Sequence, residues 1–344
     1  MRYSVRVNND LSAASLVDLA VAAERAGFHQ VWVSNDLFLR SAPVLAATIA
    51  AHTSTVGVGI AVMNPYSVHV SELAMAAATL QEVSGGRFLL GLGAGAEQFL
   101  GWAGLARDRP LATTRSALVT LRAMLGHRDV DRCLLPDWIG ADSVLRFPVG
   151  SPVPVYVGAM GPQMLRMAGQ HADGVLPLLY PPEQYAVARG NVLAGASPAG
   201  RVLDADVDLP ACFWVSLSAD PAAARAALAE KLAYYGPSIS APMLASAGLR
   251  PSDFAAAAAL AHAGRPAAAL VDDRMLALGV AGSPADVVAR CRGLYRLGAR
   301  HFSFGPPLGP DPVAAIGLLG EQVLPALGMF AATEVTPAME ARER

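Results

Sequence analysis

Lysine, cysteine and charge are all scarce in this 344-residue sequence. Charged residues make up 16% of it, and Lys231 is the only lysine among 26 basic residues. An anionic ligand must therefore be bound mainly by arginine, by backbone amides or by helix N-termini. The three cysteines, Cys133, Cys212 and Cys291, are odd in number and widely separated. They predict no disulfide framework.

Other absences exclude whole classes of protein. Arg, Asp or Gly interrupts every apolar run before it reaches the roughly 18–20 residues of a membrane span, and the N-terminus lacks the apolar region of a signal peptide. A net charge of −2 argues against nucleic-acid binding, and the seven histidines show no metal-ligand spacing. We expect a cytoplasmic protein without membrane, nucleic acid or metal. The 53% of hydrophobic residues predicts a large core and a homodimer.

Short β-branched runs alternate with helical patterns along most of the chain, which is typical of a parallel α/β fold. We predict a (β/α)8 TIM barrel over residues 1–330, with insertions at about 97–150 and 236–280 and a solvated C-terminal tail at 331–344. A doubly wound sheet is the alternative. The eight predicted strands cover residues 3–7, 30–34, 55–62, 87–91, 154–157, 174–177, 209–216 and 301–304.

Glycine-rich segments follow several of these strands, where a barrel places its active site. Gly91-x-Gly93-x-x-Ala96 matches a dinucleotide fingerprint only weakly, because no acidic residue ends a strand about 20 positions later. Residues 158–162 precede a predicted helix and form either a phosphate site or a plain capped turn. Ser283, Pro284 and Asp286 carry the signals of another helix start.

Taken in order, several short motifs resemble the luciferase-like superfamily. They are most similar to the coenzyme F420-dependent methylenetetrahydromethanopterin reductases and related F420-dependent oxidoreductases. The resemblance covers nearly the whole chain except about 100–150. It rests on Asn64-Pro65-Tyr66-x-x-His69, Ser84-Gly85-Gly86-Arg87, Gly91-x-Gly93-x-Gly95, Val157-Gly158-Ala159-Met160-Gly161-Pro162, Ala281-Gly282-Ser283-Pro284 and Gly305-Pro306-Pro307-Leu308-Gly309-Pro310.

The resemblance implies a barrel of the bacterial-luciferase type that binds a deazaflavin, coenzyme F420, with FMN as the alternative. It also implies a non-proline cis peptide bond at Ala61–Val62, at the end of the third strand, and a cofactor phosphate at residues 158–161. The cofactor-binding residues would be Ala61, Val62, Asn64, Gly93, Gly95, Gly158, Ala159, Met160 and Gly161.

The sequence departs from this family where relatives carry their acids. The usual Asp-His after the second strand reads Asn35-Asp36, and the carboxylate after Gly-x-Gly is replaced by Ala96, with Glu97 next to it. Asp36, Asn35 and Glu97 are therefore the candidate catalytic residues. A turn role for Asp36 and a solvated position for Glu97 stay open. Tyr66, His69 and Trp102 are the candidate substrate-pocket residues, and for Tyr66 and Trp102 ordinary packing at the rim stays open.

These substitutions indicate a substrate other than methylenetetrahydromethanopterin. We expect hydride transfer between F420 and an activated C=C or C=N bond of a small molecule or peptide-derived precursor. An enone, an imine or a dehydroamino acid of specialised metabolism would suit this chemistry. The alternatives are an FMN-dependent luciferase-like monooxygenase and a non-catalytic flavin-binding homologue.

Overall fold

A computed structural model describes residues 1–178 and 180–340, with side chains as far as residue 334. Within this part of the chain nine parallel strands form one curled sheet. Their bounds are β1 Arg2–Val7, β2 Gln30–Ser34, β3 Gly57–Met63, β4 Phe88–Leu92, β5 Val155–Gly158, β6 Gly174–Leu176, β7 Pro210–Leu217, β8 Val280–Gly282 and β9 His301–Leu308.

Helices connect the strands and surround the sheet. In the described residues they are α1 Ala13–Arg25, α2 Ala42–His52, α3 Val70–Val83, α4 Glu97–Trp102, α5 Pro110–Met124, α6 Pro162–His171, α7 Tyr185–Ala196, α8 Pro221–Tyr235, α9 Ala241–Ser246, α10 Ala255–His262, α11 Asp273–Leu276, α12 Pro284–Arg296, α13 Pro312–Leu318 and α14 Leu324–Glu340.

The sheet closes into a barrel. Strands β1 to β6 pair in chain order, β1 also pairs with β9, and β9 pairs with β7. A parallel bridge between Gly174 and Asp208 joins β6 to the residues before β7. The predicted (β/α)8 architecture is thus confirmed, and the doubly wound alternative is wrong. The ninth strand, β8, was not predicted. It pairs with the end of β7 and has only three residues, too few to show a periodic pattern.

Two apolar layers hold the barrel together. Side chains such as Val5, Val31 and Val58 pack outward against the helices in one continuous buried cluster. A second cluster fills the barrel interior and includes Trp32 and Tyr156, whose rings lie 5.0 Å apart at a steep angle. Alternate residues along a strand point to opposite faces, which generates both layers from the same strands.

Glycines in the strands make room for the large interior rings. A Cβ atom on Gly59 would lie 2.2 Å from the Trp32 ring, and one on Gly174 would lie 2.1 Å from Cε1 of Tyr156. No side chain fits at those distances. The small residues of β3 and β6 are therefore the counterpart of the aromatic residues on β2 and β5.

The predicted start of α12 is confirmed. The Ser283 hydroxyl accepts from the N–H of Asp286, whose carboxylate accepts from the N–H of Ser283 at 2.8 Å. Pro284 takes the first helical position, where its missing N–H is not needed. The boundary that the sequence marked is the boundary that the structure shows.

The C-terminal region is helical. The tail predicted to begin at residue 331 continues α14 as far as Glu340, and residues 341–344 lie outside the described residues. By length and composition alone the 23-residue helical stretch Pro312–Glu334, which contains an 18-residue window with a mean hydropathy of 1.6, could cross a membrane, although the sequence predicted no such segment; the core helix of a soluble protein meets the same criterion. In the structure this stretch packs against α1 and α12 as part of the outer helical layer.

Candidate active site

A cavity of about 1260 Å³ opens at the carboxyl ends of the strands. Its wall comes from the segments that follow β2, β3, β4 and β5 and from helices α4, α6 and α8. The carboxyl ends of parallel strands converge at one rim, so segments far apart in sequence face the same space. This is where a barrel is expected to place its active site.

All nine candidate cofactor residues line this cavity. The peptide bond between Ala61 and Val62 is cis, as expected, and the pairing of β3 with β4 shifts register between Ile60 and Met63. Asn64, which follows this irregularity, is buried, and its side-chain oxygen accepts from the N–H of Ser67 at 2.9 Å. The structure therefore places these residues together.

Val62 explains why two of the glycines are needed. A Cβ atom on Gly93 would lie 2.6 Å from Cγ2 of Val62, and one on Gly158 would lie 3.0 Å from its Cγ1. The Val62 side chain thus projects between β4 and β5 at the cavity wall. Gly161 differs, because a Cβ atom there would contact nothing within 4 Å. Space remains open above the backbone at that point.

The N-terminus of α6 faces this open space. Gly161 is the N-cap residue and has no side chain to accept from the first N–H groups of the ten-residue helix. Those N–H groups and the positive end of the helix dipole favour an anion. The sequence left open either a phosphate site or a plain capped turn at residues 158–162. In the structure no side chain caps α6, so its first N–H groups are open to an anion.

Asp36 follows β2 and faces the cavity, as does Asn35. Asn9 holds this segment in place, because its side-chain amide donates to the backbone oxygen of Asp36 at 3.1 Å and accepts from the Ser34 hydroxyl at 2.8 Å. Burial raises the pKa of Asp36. The side chain can therefore carry a proton at a higher pH than an exposed aspartate.

Glu97 also lines the cavity, but its side chain is 79% exposed at the start of α4. Its carboxylate forms an ion pair with Arg107 at 3.0 Å. A carboxylate in the first helical turn is stabilised by the helix dipole in any case. This environment matches the solvated position left open from the sequence.

The three candidate pocket residues separate in the structure. Trp102 lines the cavity and is 60% exposed, with its ring centroid 5.0 Å from that of Phe99. Tyr66 and His69 are not among the lining residues. The Tyr66 hydroxyl donates to the backbone oxygen of Asp108 at 2.7 Å, and His69 caps α3. Both are placed to stabilise the surrounding loops.

Sequence reasoning missed the wall supplied by β1 and α8. Arg6 and Lys231 line the cavity with Tyr235, and the Lys231 ammonium lies 4.1 Å from the centroid of the Tyr235 ring. Burial lowers the pKa of Lys231 to about 8, although Asp10 and Asp36 act in the opposite direction. The rarity of lysine was the one available signal. In the described residues no cluster of three or more His, Cys, Asp or Glu side chains could hold a metal.

The family pattern described as luciferase-like monooxygenase matches residues 2–301. The chain belongs to this family. It is 32% identical over 311 residues to the 5,10-methylenetetrahydromethanopterin reductase of Methanolobus tindarius, covering 89% of this chain and 94% of the relative. It is 29% identical to the F420-dependent glucose-6-phosphate dehydrogenase of Nakamurella multipartita, covering 91% and 92%.

The fold agrees with this membership. The coenzyme F420-dependent tetrahydromethanopterin reductase of Methanopyrus kandleri superposes with a TM-score of 0.83 at 27% identity, over 94% of this chain and 98% of that one. The resemblance drawn from short motifs is therefore confirmed at the level of family and fold.

Proposed function

We propose that this chain is an F420-dependent oxidoreductase acting on an activated C=C or C=N bond of a small molecule. The observation that carries the proposal is one cavity lined both by the glycine-rich wall around Val62 and by Asp36, a half-buried carboxyl group whose pKa is raised by desolvation. The similar glucose-6-phosphate dehydrogenase and tetrahydromethanopterin reductase are both named as F420-dependent although their substrates differ, which supports F420 as the cofactor. When bound, F420 would supply or accept a hydride at a ring carbon.

The residues present fit such a cofactor. Ala61 and Val62 with Gly93 and Gly158 form a surface of small and branched groups against which a flat ring system can lie. The uncapped N–H groups of α6 at Gly161 would hold a phosphate. The volume of about 1260 Å³ exceeds the roughly 300–1,000 Å³ of ordinary ligand pockets, so room remains for a substrate.

Asp36 is proposed as the proton donor or acceptor. Hydride transfer to the carbon of an activated C=C or C=N bond leaves negative charge on a carbanion-like carbon or on an amine nitrogen, which must take a proton. A carboxyl group whose pKa is raised by burial holds that proton nearer to neutral pH. Asn35 would position the substrate by hydrogen bonding. The exposed, Arg107-paired Glu97 is better placed to shape the entrance.

Titration of the purified protein with F420, FMN and NADPH tests the cofactor. We expect saturable binding of F420 and a raised thermal unfolding midpoint in its presence. Tight FMN binding with oxygen consumption would instead support a monooxygenase. Failure to bind any of the three would contradict an enzymatic role and favour a non-catalytic homologue.

Replacement of Asp36 by Asn tests the acid. We expect F420 affinity to be retained and the rate of hydride transfer to fall by roughly 10²–10⁴-fold. In the wild type, turnover in the direction of reduction should decline as pH rises above the raised pKa of Asp36, and this decline should vanish in the variant. The exposed Asp18→Asn variant is the control. Unchanged turnover in Asp36→Asn would remove this residue from the mechanism.

A further inference from the structure

Arg6 is a buried cation at the inner end of the cavity. It lies on β1, is 7% exposed and lines the cavity wall. Its Nη2 donates to the backbone oxygens of Phe213 at 2.9 Å and Ser303 at 3.5 Å. Its Nε is buried and has no hydrogen-bond partner among the described residues. A buried cation that is only partly hydrogen-bonded is costly unless a charge nearby offsets it.

The barrel is built to keep Arg6 in this position. A Cβ atom on Gly305 would lie 2.3 Å from Nη2 of Arg6, so the absence of a side chain on β9 creates the space for the guanidinium. The backbone contacts tie it to β7 and β9. Both contacts are with neutral carbonyl groups, which orient the side chain without neutralising its charge.

Arg6 shares the wall of the cavity with a second cation, Lys231. Among the residues whose side chains the structure describes, no carboxylate comes within 4.0 Å of Arg6 or Lys231. Arg107, the third cation on the cavity wall, contrasts with them because it is paired with Glu97. Asp10 and Asp36 act on Lys231 only at longer range.

We propose that Arg6 and Lys231 form an anion-binding subsite for a carboxylate group of the substrate. This inference rests on the proposed function and narrows it to organic acids that carry a reducible C=C or C=N bond. Arg6 and Lys231 place two positive charges on the wall of the same cavity, and charge-assisted hydrogen bonds to guanidinium and ammonium groups are the usual way in which a carboxylate is bound. A neutral ligand would leave these two positive charges unbalanced, whereas an anion would offset them.

The surroundings indicate where the rest of such an acid lies. Trp214 and Tyr235 line the cavity beside the two cations, with their ring centroids 6.2 Å apart. Apolar and aromatic walls around a few polar groups are typical of sites that bind small organic ligands. An unsaturated acid with an apolar body would satisfy both parts of this wall.

Binding of cinnamate and of its uncharged isostere cinnamamide tests the subsite. Calorimetric titrations would use the protein with and without saturating F420. We expect cinnamate to bind roughly tenfold or more tightly than cinnamamide. Lys231→Met and Arg6→Met should each remove most of that preference by weakening cinnamate alone. Arg225→Met, on the exposed face of the same helix as Lys231, should retain it.

Several results would overturn the proposal. If cinnamate and cinnamamide bind equally, if neither binds, or if the preference for cinnamate survives in Lys231→Met, the result contradicts a carboxylate subsite. Loss of cinnamate binding on saturation with F420 would assign the subsite to the cofactor. If Arg6→Met fails to fold, Lys231→Met still decides. The comparison of cinnamate with cinnamamide in the absence of cofactor does not require F420 binding. The F420 titration therefore tests the proposed function separately from the subsite.

Discussion

At the scale of single residues, steric space determines where several large side chains of the barrel can lie. Val62, Trp32 and Arg6 each occupy a position that exists only because the facing residue is glycine: Gly93, Gly59 and Gly305 respectively. Such positions have no conspicuous local signature, since a glycine in a strand otherwise indicates a bulge or a weak point. The glycines predicted from the family motifs line the cavity, and their role toward a cofactor stays a prediction, whereas the glycines that accommodate interior rings were not predicted.

Gly174→Ala should destabilise the barrel. The added methyl group would lie 2.1 Å from Cε1 of Tyr156, so we expect a loss of about 1–3 kcal/mol in the free energy of unfolding. Gly190→Ala is the matched control, because this glycine lies in α7 with nothing within 4 Å of its Cβ position. That change should stabilise by about 0.5–1 kcal/mol. Chemical denaturation measures both, and equal effects would contradict the packing argument.

At the scale of elements, two charged side chains join neighbouring βα units. Arg87, just before β4, donates from Nη1 to the backbone oxygen of Val56 at 2.7 Å and from Nη2 to that of Ala50 at 3.0 Å. Glu24, in the last turn of α1, accepts the N–H groups of residues 54–56 at 2.6–2.9 Å. Both side chains satisfy backbone groups of the turn between α2 and β3, which would otherwise lack partners.

Glu24 makes stability depend on pH. Partial burial acts to raise the pKa of this carboxyl, but the N–H groups of residues 54–56 outweigh it and lower the pKa to about 2. Because the unfolded value is higher, the stabilisation is present above pH 4.5 and is lost as pH falls from there toward 2. Glu24→Gln should lower stability at pH 7 and flatten this dependence. Denaturation midpoints between pH 2 and 7 measure it, and parallel curves for both proteins would refute it.

The positions of the candidate site residues depend on the ends of the strands and on the loops that follow them. The strand ends predicted from the sequence brought Asp36, Gly93 and Gly158 to one rim, because neighbouring parallel strands end on the same side. Tyr66 follows β3 as well, yet it is not a lining residue, because its hydroxyl bonds to the loop at Asp108. A strand end predicts proximity, while side-chain direction depends on the loop that packs against it.

At the scale of the whole molecule, closure of the barrel relies on a buried polar network at the amino ends of the strands. Asp208 lies at the seam between β6 and β7, and its Oδ2 contacts Nδ1 of His301 at 2.8 Å and accepts from the Tyr156 hydroxyl at 2.9 Å. Arg2 contacts its other oxygen at 2.8 Å. Three strands and the seam are thereby tied to one carboxylate.

Asp208→Asn should therefore loosen the whole barrel. The neutral amide cannot pair with Arg2 and offers a donor where the network needs acceptors, so we expect a loss of roughly 1.5–3 kcal/mol in the free energy of unfolding. The exposed Asp18→Asn change should alter it by less than about 0.5 kcal/mol. Urea denaturation measures the free energy of unfolding of both variants and of the wild type. Equal stability of the two variants would show that the network does not support closure.

The barrel and the glycine-lined rim follow from local properties, because alternation of apolar residues and the positions of glycine are readable along the chain. The placement of Arg6 on β1 and Lys231 on α8 in one cavity does not, since 225 positions separate them in sequence and only closure of β1 beside β9 and β7 brings them together. A lone lysine carries no periodic pattern, and a buried arginine in a strand looks like an interruption. Long-range packing determines which charges meet, and so it determines the polar chemistry of the cavity.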